Sequence, residues 1–145
     1  MSLTIHWFRQ DLRLSDNPSL SAAVENGNVL PIYILDDYNP GHHTMGEASR
    51  VWLHYSLNKL NESLGGMLRV FSGNATDIIL GLTQKYKIKS VYWNRCYEPW
   101  QIKRDKVIKE ALQKQNIHVK SFNGFLMVEP WEILKVDETP YRVFT

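Results

Sequence analysis

The sequence predicts an α/β protein with a doubly wound parallel sheet. Two observations carry that reading. Five short apolar, β-branched runs (Leu3–Phe8, Val29–Leu35, Leu68–Phe71, Ser90–Trp93 and His118–Phe122) alternate with amphipathic stretches. Strands that alternate with helical patterns form parallel sheets, and right-handed crossovers then cover both faces. The length of 145 residues suits one domain with a real hydrophobic core. The expected architecture is Rossmann-like: five parallel strands in the order 3-2-1-4-5, helices on both faces.

Each element follows from a local signal. The first strand, Leu3–Phe8, stops at Arg9-Gln10-Asp11-Leu12-Arg13. A helix start follows, with Asp16 or Asn17 as cap and Pro18 in the first turn. This first helix runs to about Asn26, with Leu20, Ala23 and Val24 inward and Gly27 at its end. The second strand contains Pro31, which cannot donate to a ladder, so a late start or a bulge is expected there. In the second helix Leu53, Leu57, Leu60 and Leu64 fall on one face, and Gly65-Gly66 ends it. The third helix spans about Ala75–Tyr86, capped by Asn74, with Ile78, Ile79 and Leu82 apolar. The fourth follows Pro99 and carries Ile102, Val107, Ile108 and Leu112 against a charged face read as solvated surface. Beyond Asn123 the pattern decays into a loop with one short helical candidate, Pro130–Leu134. The chain ends on Tyr141, Val143 and Phe144 without a closing element, as expected of a fragment or a domain cut from a longer protein, or alternatively of a tail that docks on its own domain.

Composition excludes several classes. Charged residues at 22% and hydrophobic residues at 43% fit a soluble globular chain. A net charge of +2 does not describe a surface that coats nucleic acid. The single cysteine, Cys96, allows no internal disulfide and points to a reducing, cytoplasmic setting. No apolar run is long enough to span a bilayer, so no membrane is expected. His42-His43, near Asp36 and Asp37, lacks a matching ligand set, and no metal is expected. No catalytic carboxylate pair or Ser-His-Asp order can be defended, and no catalytic residue is assigned.

The chemistry is expected where the strand order reverses, between the first and fourth strands. The first strand exits into Arg9, Gln10 and Asp11; the fourth exits into Asn94-Arg95-Cys96-Tyr97-Glu98-Pro99. Trp7, Phe8, Trp93 and Tyr97 flank these polar groups, a lining suited to a flat, hydrogen-bonding heteroaromatic ligand. Asp11 and Arg13 read as internal braces of the first loop, Asn94 and Glu98 as ligand contacts. Cys96 reads as a buried or pocket-lining thiol. Ser72-Gly73-Asn74 lacks the spacing of a phosphate-binding loop and reads as a tight turn with an Asn cap.

Four ordered segments resemble one family. Trp7-Phe8-Arg9-Gln10-Asp11-Leu12-Arg13-Leu14-Ser15-Asp16-Asn17 resembles the W-F-R-x-D-L-R-x-x-D-N opening of the DNA photolyase/cryptochrome family. Gly46–Leu57 with Leu60 and Leu64 resembles its second helix. Trp93–Pro99 resembles its W-N-R-x-Y-E-P strand exit, and Pro140–Thr145 its P-Y-x-V-F-T segment. The resemblance covers essentially the whole chain.

It implies an N-terminal α/β domain over 1–130 and, over 131–145, the start of a linker to a missing C-terminal helical domain. That domain would bind FAD and UV-damaged DNA. The parent would be a deoxyribodipyrimidine photo-lyase, a carbon–carbon lyase that repairs pyrimidine dimers with blue or near-UV light and reduced FAD. A cryptochrome photoreceptor is the first alternative and an adenine-nucleotide-binding module the second. The α/β domain would hold an antenna chromophore, with methenyltetrahydrofolate ahead of 8-HDF or a flavin. Cys96 stands where some deazaflavin-binding members have an aspartate, which disfavours 8-HDF. Carried over by position, the antenna residues are Asn94, Glu98, Arg50, Met45, Cys96, Arg9 and Asp11. A monomer is expected, partnered by its own FAD domain.

Overall fold

The computed structural model describes residues 3–9, 11–14, 17–36 and 47–123. Met45, His42-His43, Asp16, the helical candidate Pro130–Leu134 and the linker 131–145 lie outside the described residues. Five strands, β1 (Leu3–Phe8), β2 (Asn28–Leu35), β3 (Arg69–Ser72), β4 (Ile88–Asn94) and β5 (His118–Phe122), alternate with four helices. The helices are α1 (Pro18–Glu25), α2 (Glu47–Ser63), α3 (Ala75–Lys85) and α4 (Pro99–Lys114). All strand pairs are parallel, in the order β3-β2-β1-β4-β5, as the alternating pattern predicts.

The central strand is buried on both faces and sorts its side chains by parity. Ile5 and Trp7 join Ile79, Leu82, Ile108 and Leu112 in a core beneath α3 and α4. Phe8 joins Leu20, Tyr33, Leu60 and Leu68, with Leu53, Leu57 and Leu64 beside them, beneath α1 and α2. On the Phe8 face of the sheet α1 rests on a polar strip. His6 Nδ1 is hydrogen-bonded to Ser19 Oγ at 3.0 Å, and Asn26 Nδ2 donates to Thr4 Oγ1 at 2.9 Å.

Helix ends match their sequence signals. Asn17 caps α1, accepting from Leu20 N at 3.1 Å. Gly27, at φ 123°, makes the left-handed turn into β2 that a β-carbon would oppose. Asn74 caps α3 by accepting from Thr76 N at 3.0 Å, so Ser72-Gly73-Asn74 is a turn with an Asn cap.

Pro31 departs from expectation. β2 neither starts late nor bulges there: it begins at Asn28, and Pro31 pairs in register with His6. The reason is topological. Pairing with β3 starts only at Ile32, so Pro31 has a neighbouring strand on one side alone, where a missing N–H is tolerated. The register shift falls instead between Leu3 and Thr4, against β4.

Candidate functional site

β1 and β4 are neighbours, with Trp7 opposite Trp93, so their polar exits open on the same rim at the switch point. Two side-chain clusters meet there, one inward and one toward α4.

The inward cluster centres on Asp11, which has no solvent exposure. Asp11 Oδ1 accepts from Arg9 N at 2.7 Å. Its Oδ2 accepts from Asn94 Nδ2 at 2.6 Å and from Asn17 Nδ2 at 3.1 Å. Asn94 also donates to Asn17 Oδ1 at 2.7 Å, and its own carbonyl accepts from Ser19 N at 3.2 Å. Asn17 Nδ2 donates further to Arg13 O. His6 Nε2 lies 3.8 Å from Asp11 Oδ2. Burial pushes the Asp11 carboxyl above its ordinary value against the pull of these donors. Burial also holds His6 down to about 3, so it is neutral at physiological pH. The network sews the first loop, the start of α1 and the end of β4 into one unit.

The outward cluster is ionic and aromatic. Arg9, 6% exposed, donates from Nη2 to Asp105 Oδ2 at 2.6 Å. Arg104 reaches Asp105 Oδ1 from Nε at 3.3 Å and Asp36 Oδ2 from Nη1 at 3.5 Å. The guanidinium carbons of Arg9 and Arg104 lie 4.5 and 4.8 Å from the centre of the Trp7 ring, and Arg104 also lies 4.8 Å from that of Trp100. Cys96 is buried among these charges. Its thiol is pushed up by burial; Arg9 and Arg104 pull it down, and Asp105 and Asp11 add to the rise. Arg9 Nε and Nη1 are buried and find no hydrogen-bond acceptor among the described residues. Two orphaned guanidinium donors beside an indole face are an unmet demand for an oxygen or nitrogen acceptor.

The sequence-derived site residues fall into distinct places. Asp11, read both as a loop brace and as an antenna residue, is buried and bonded to Arg9 N, Asn17 and Asn94. Asn94, expected at the ligand, is fully buried, and both its N–H groups are spent on Asp11 and Asn17. Glu98 is exposed at the cap position of α4 and accepts from Trp100 Nε1 at 2.8 Å. Arg50 lies partly buried in the first turn of α2, and Met45 is outside the described residues. Arg104, Asp105 and Trp100 were not singled out in the sequence, and Asp36 was noted only for its nearness to His42-His43. The fourth helix's charge was read as solvated, yet Gln101 and Arg104 are buried with Ile108 and Leu112. The spacing 101-104-108-112 was the available signal: the inward stripe continues one turn toward the helix start in polar residues.

A five-stranded parallel sheet with helices between its strands, and with aromatic and ionic side chains gathered at its switch point, is an α/β domain of the doubly wound class. The chain belongs to the DNA photolyase family, whose model matches residues 4–145. It is 43% identical to the deoxyribodipyrimidine photo-lyase of Agrobacterium fabrum, over 97% of this chain and 30% of that protein. It is 37% identical to cryptochrome-2 of Arabidopsis thaliana, over 97% of this chain and 24% of the relative. The crystal structure of a class III photolyase from Agrobacterium tumefaciens matches with TM-score 0.87 and 41% identity, covering 99% of this chain and 30% of that one. An archaeal photolyase from Sulfolobus tokodaii, solved with two FAD molecules that imply a novel light-harvesting cofactor, matches with TM-score 0.79 and 29% identity. That match covers 88% of this chain and 31% of the archaeal one. The chain thus spans less than a third of the length of these relatives.

Proposed function

We propose that this chain is the antenna-chromophore-binding domain of a deoxyribodipyrimidine photo-lyase. The parent repairs UV-induced pyrimidine dimers in DNA with blue or near-UV light and reduced FAD; FAD and DNA bind a helical domain absent from this chain. The observation that carries the reading is Arg9: a buried guanidinium with two acceptor-less donors at the switch point, beside Trp7 and Cys96. Such a group suits the carbonyl and ring-nitrogen edge of a pterin or flavin. Arg9 would bind that edge, with Arg50, Met45, Cys96 and Glu98 around it. Asn94 and Asp11 would act from behind by fixing the loop that carries Arg9.

The chromophore's chemistry is light absorption and excitation transfer to reduced FAD, and the domain's task is distance and orientation. Methenyltetrahydrofolate is the preferred antenna over 8-HDF or a flavin, because Cys96 offers a raised, neutral thiol where deazaflavin binders place an aspartate. The light-harvesting role implied for the second FAD of the Sulfolobus relative supports an antenna in this fold. A photoreceptor role is the second reading, favoured by 37% and 36% identity to the two Arabidopsis cryptochromes.

Two measurements test the proposal on the full-length parent. Absorption spectra before and after denaturation should reveal FAD and a second released chromophore. Blue light should restore thymine-dimer-containing DNA. FAD present with no second chromophore removes the antenna assignment, and intact flavin without repair leaves the photoreceptor.

A further inference from the structure

The formal charge of +2 hides a division along the chain. Residues 1–82 carry five Lys and Arg against eight Asp and Glu, whereas residues 83–123 carry ten against three. The fold gathers much of that excess on one side. Lys103, Lys106 and Lys109 are exposed on the outer face of α4, opposite the buried stripe of Gln101, Arg104, Ile108 and Leu112. Lys114 ends that face. Lys85, Lys87 and Lys89 are exposed around the end of α3 and the start of β4. The ends of α3 and α4 meet there, Thr83 Oγ1 donating to Gln115 Oε1 at 3.3 Å. Among the described residues none of these seven lysines forms an ion pair with a carboxylate. Within α4, Glu110 is the one exposed carboxylate.

Helix stability does not explain the pattern. A cation in the last turn is favoured by the helix dipole, which accounts for Lys85 and Lys114. Lys103 and Lys106 stand in the amino-terminal half of α4, where the dipole offers them nothing. Like charges three residues apart also repel, so Lys103, Lys106 and Lys109 weaken the helix they stand on. A face that needed only water would be served as well by mixed signs.

We propose that this face binds double-stranded DNA through its phosphates, without reading bases. It adds to the DNA contact assigned above to the absent helical domain. From Lys103 to Lys114 the helix axis runs about 16 Å, roughly five base-pair steps of 3.4 Å. A regular polyanion meets the whole row, where a small anion meets one or two lysines. Lysine suits the task, because a point charge on a long stem neutralises phosphate without a fixed geometry. An anionic membrane is the poorer partner. The apolar stripe of α4 is spent on the core, leaving Ile102 and Val107, 51% and 49% exposed, to face an acyl layer. Arg104 and Asp105 turn inward to Trp7 and Arg9, so the contact does not depend on a chromophore at the rim.

The test measures the 145-residue chain by fluorescence anisotropy against a labelled, undamaged duplex of about 20 base pairs. Binding by four or more lysines should weaken at least about 100-fold between ~50 and ~200 mM salt. The triple variant Lys103→Gln/Lys106→Gln/Lys109→Gln removes three exposed charges, and far-UV circular dichroism confirms its fold. Its plot of log K against log salt should be shallower by about 2.7, with binding at ~50 mM salt weaker by about tenfold or more. Each single variant should lower the slope by about 0.9. Lys59→Glu/Arg69→Gln reduces the net charge equally, on α2 and β3, and should bind as the wild type does. Wild-type binding that is absent or insensitive to salt overturns the proposal. Equal losses in the triple variant and in Lys59→Glu/Arg69→Gln do the same, since net charge alone would then be at work. So does binding to phosphatidylserine vesicles that the triple variant abolishes while its duplex binding is unchanged.

Discussion

Asp11 and His6 show how a wholly buried polar pair couples this fold to pH. The His6 value is depressed, so the unfolded chain takes up a proton that the folded chain refuses. The stabilisation is therefore present above the unfolded value of 6.5 and is lost as pH falls from 6.5 toward 3. At pH 5 the loss from His6 alone is about 2 kcal/mol. Asp11 works in the opposite sense. Its value is raised, so its ionisation costs the folded state, and acidification through that raised value returns stability. The variant His6→Gln separates the two, because Gln can still pair with Ser19 but does not titrate. Denaturant unfolding at pH 7 and pH 5 should give a wild-type loss larger than the variant's by about 2 kcal/mol. Equal losses would exclude His6 as the source. Cys96 gives a second expectation at this scale. With its thiol buried and raised, it should react with a disulfide reagent in the folded chain orders of magnitude more slowly than in denaturant. Fast modification of the folded chain would show the thiol to be open.

Helix α1 is held differently from its neighbours, and two asparagine caps expose the difference. Asn74 accepts a cap bond from Thr76 N, and losing that cap in Asn74→Ala should cost about 1 kcal/mol. Asn17 accepts from Leu20 N and Asn94 and donates to Asp11 and Arg13 O, so Asn17→Ala also orphans buried partners and should cost about 3 kcal/mol. Asn17→Asp is the sharper test. Aspartate is an equally good cap on a free helix, but here its second oxygen would replace an N–H that donates to Asp11 at 3.1 Å. Chemical denaturation should find Asn17→Asp at least as damaging as Asn17→Ala; a mild effect would mean that the network is not rigid. The sequence showed the cap, because Asn before Pro18 has a local signature. It did not show that Asn17 and Asn94, 77 residues apart, would share hydrogen bonds. That is why Asn94 read as a ligand contact: a polar residue at a strand exit looks the same whether a ligand or the next loop satisfies it. Helix α4 failed for a related reason. Arg104 lies in a run of lysines that is solvated almost throughout, and only its position on the inward stripe sets it apart.

Taken as a whole, the molecule keeps its apolar cores along the strands and gathers its unusual polar groups at one end of the sheet. Topology and strand order were readable because period and alternation are local signals that all agree. The rim was only partly readable, since its meaning depends on which groups remain unpaired once the loops have closed. Arg9 is the group on which the proposed site is tested, because its guanidinium is only partly satisfied by Asp105 and the Trp7 ring. Its charge is paired with Asp105, yet two of its buried donors find no acceptor among the described residues, a condition that disfavours the fold. Arg9→Met keeps the contact with the Trp7 ring and leaves Asp105 its partner Arg104. Its effect on the ligand-free chain should therefore lie within about 1 kcal/mol of neutral or be stabilising. Ligand binding should show the reverse. If a chromophore satisfies Arg9, saturating methenyltetrahydrofolate at 100 times its dissociation constant should stabilise the wild-type chain by about 2.7 kcal/mol. The same concentration should stabilise Arg9→Met by much less, since a lost charge-assisted contact is worth about 1.5–3 kcal/mol. Thermal unfolding of both proteins with and without ligand reads out all four states. A variant that is strongly destabilised without ligand, or that gains as much from ligand as the wild type, would make Arg9 a structural residue and move the chromophore's anchor elsewhere on the rim.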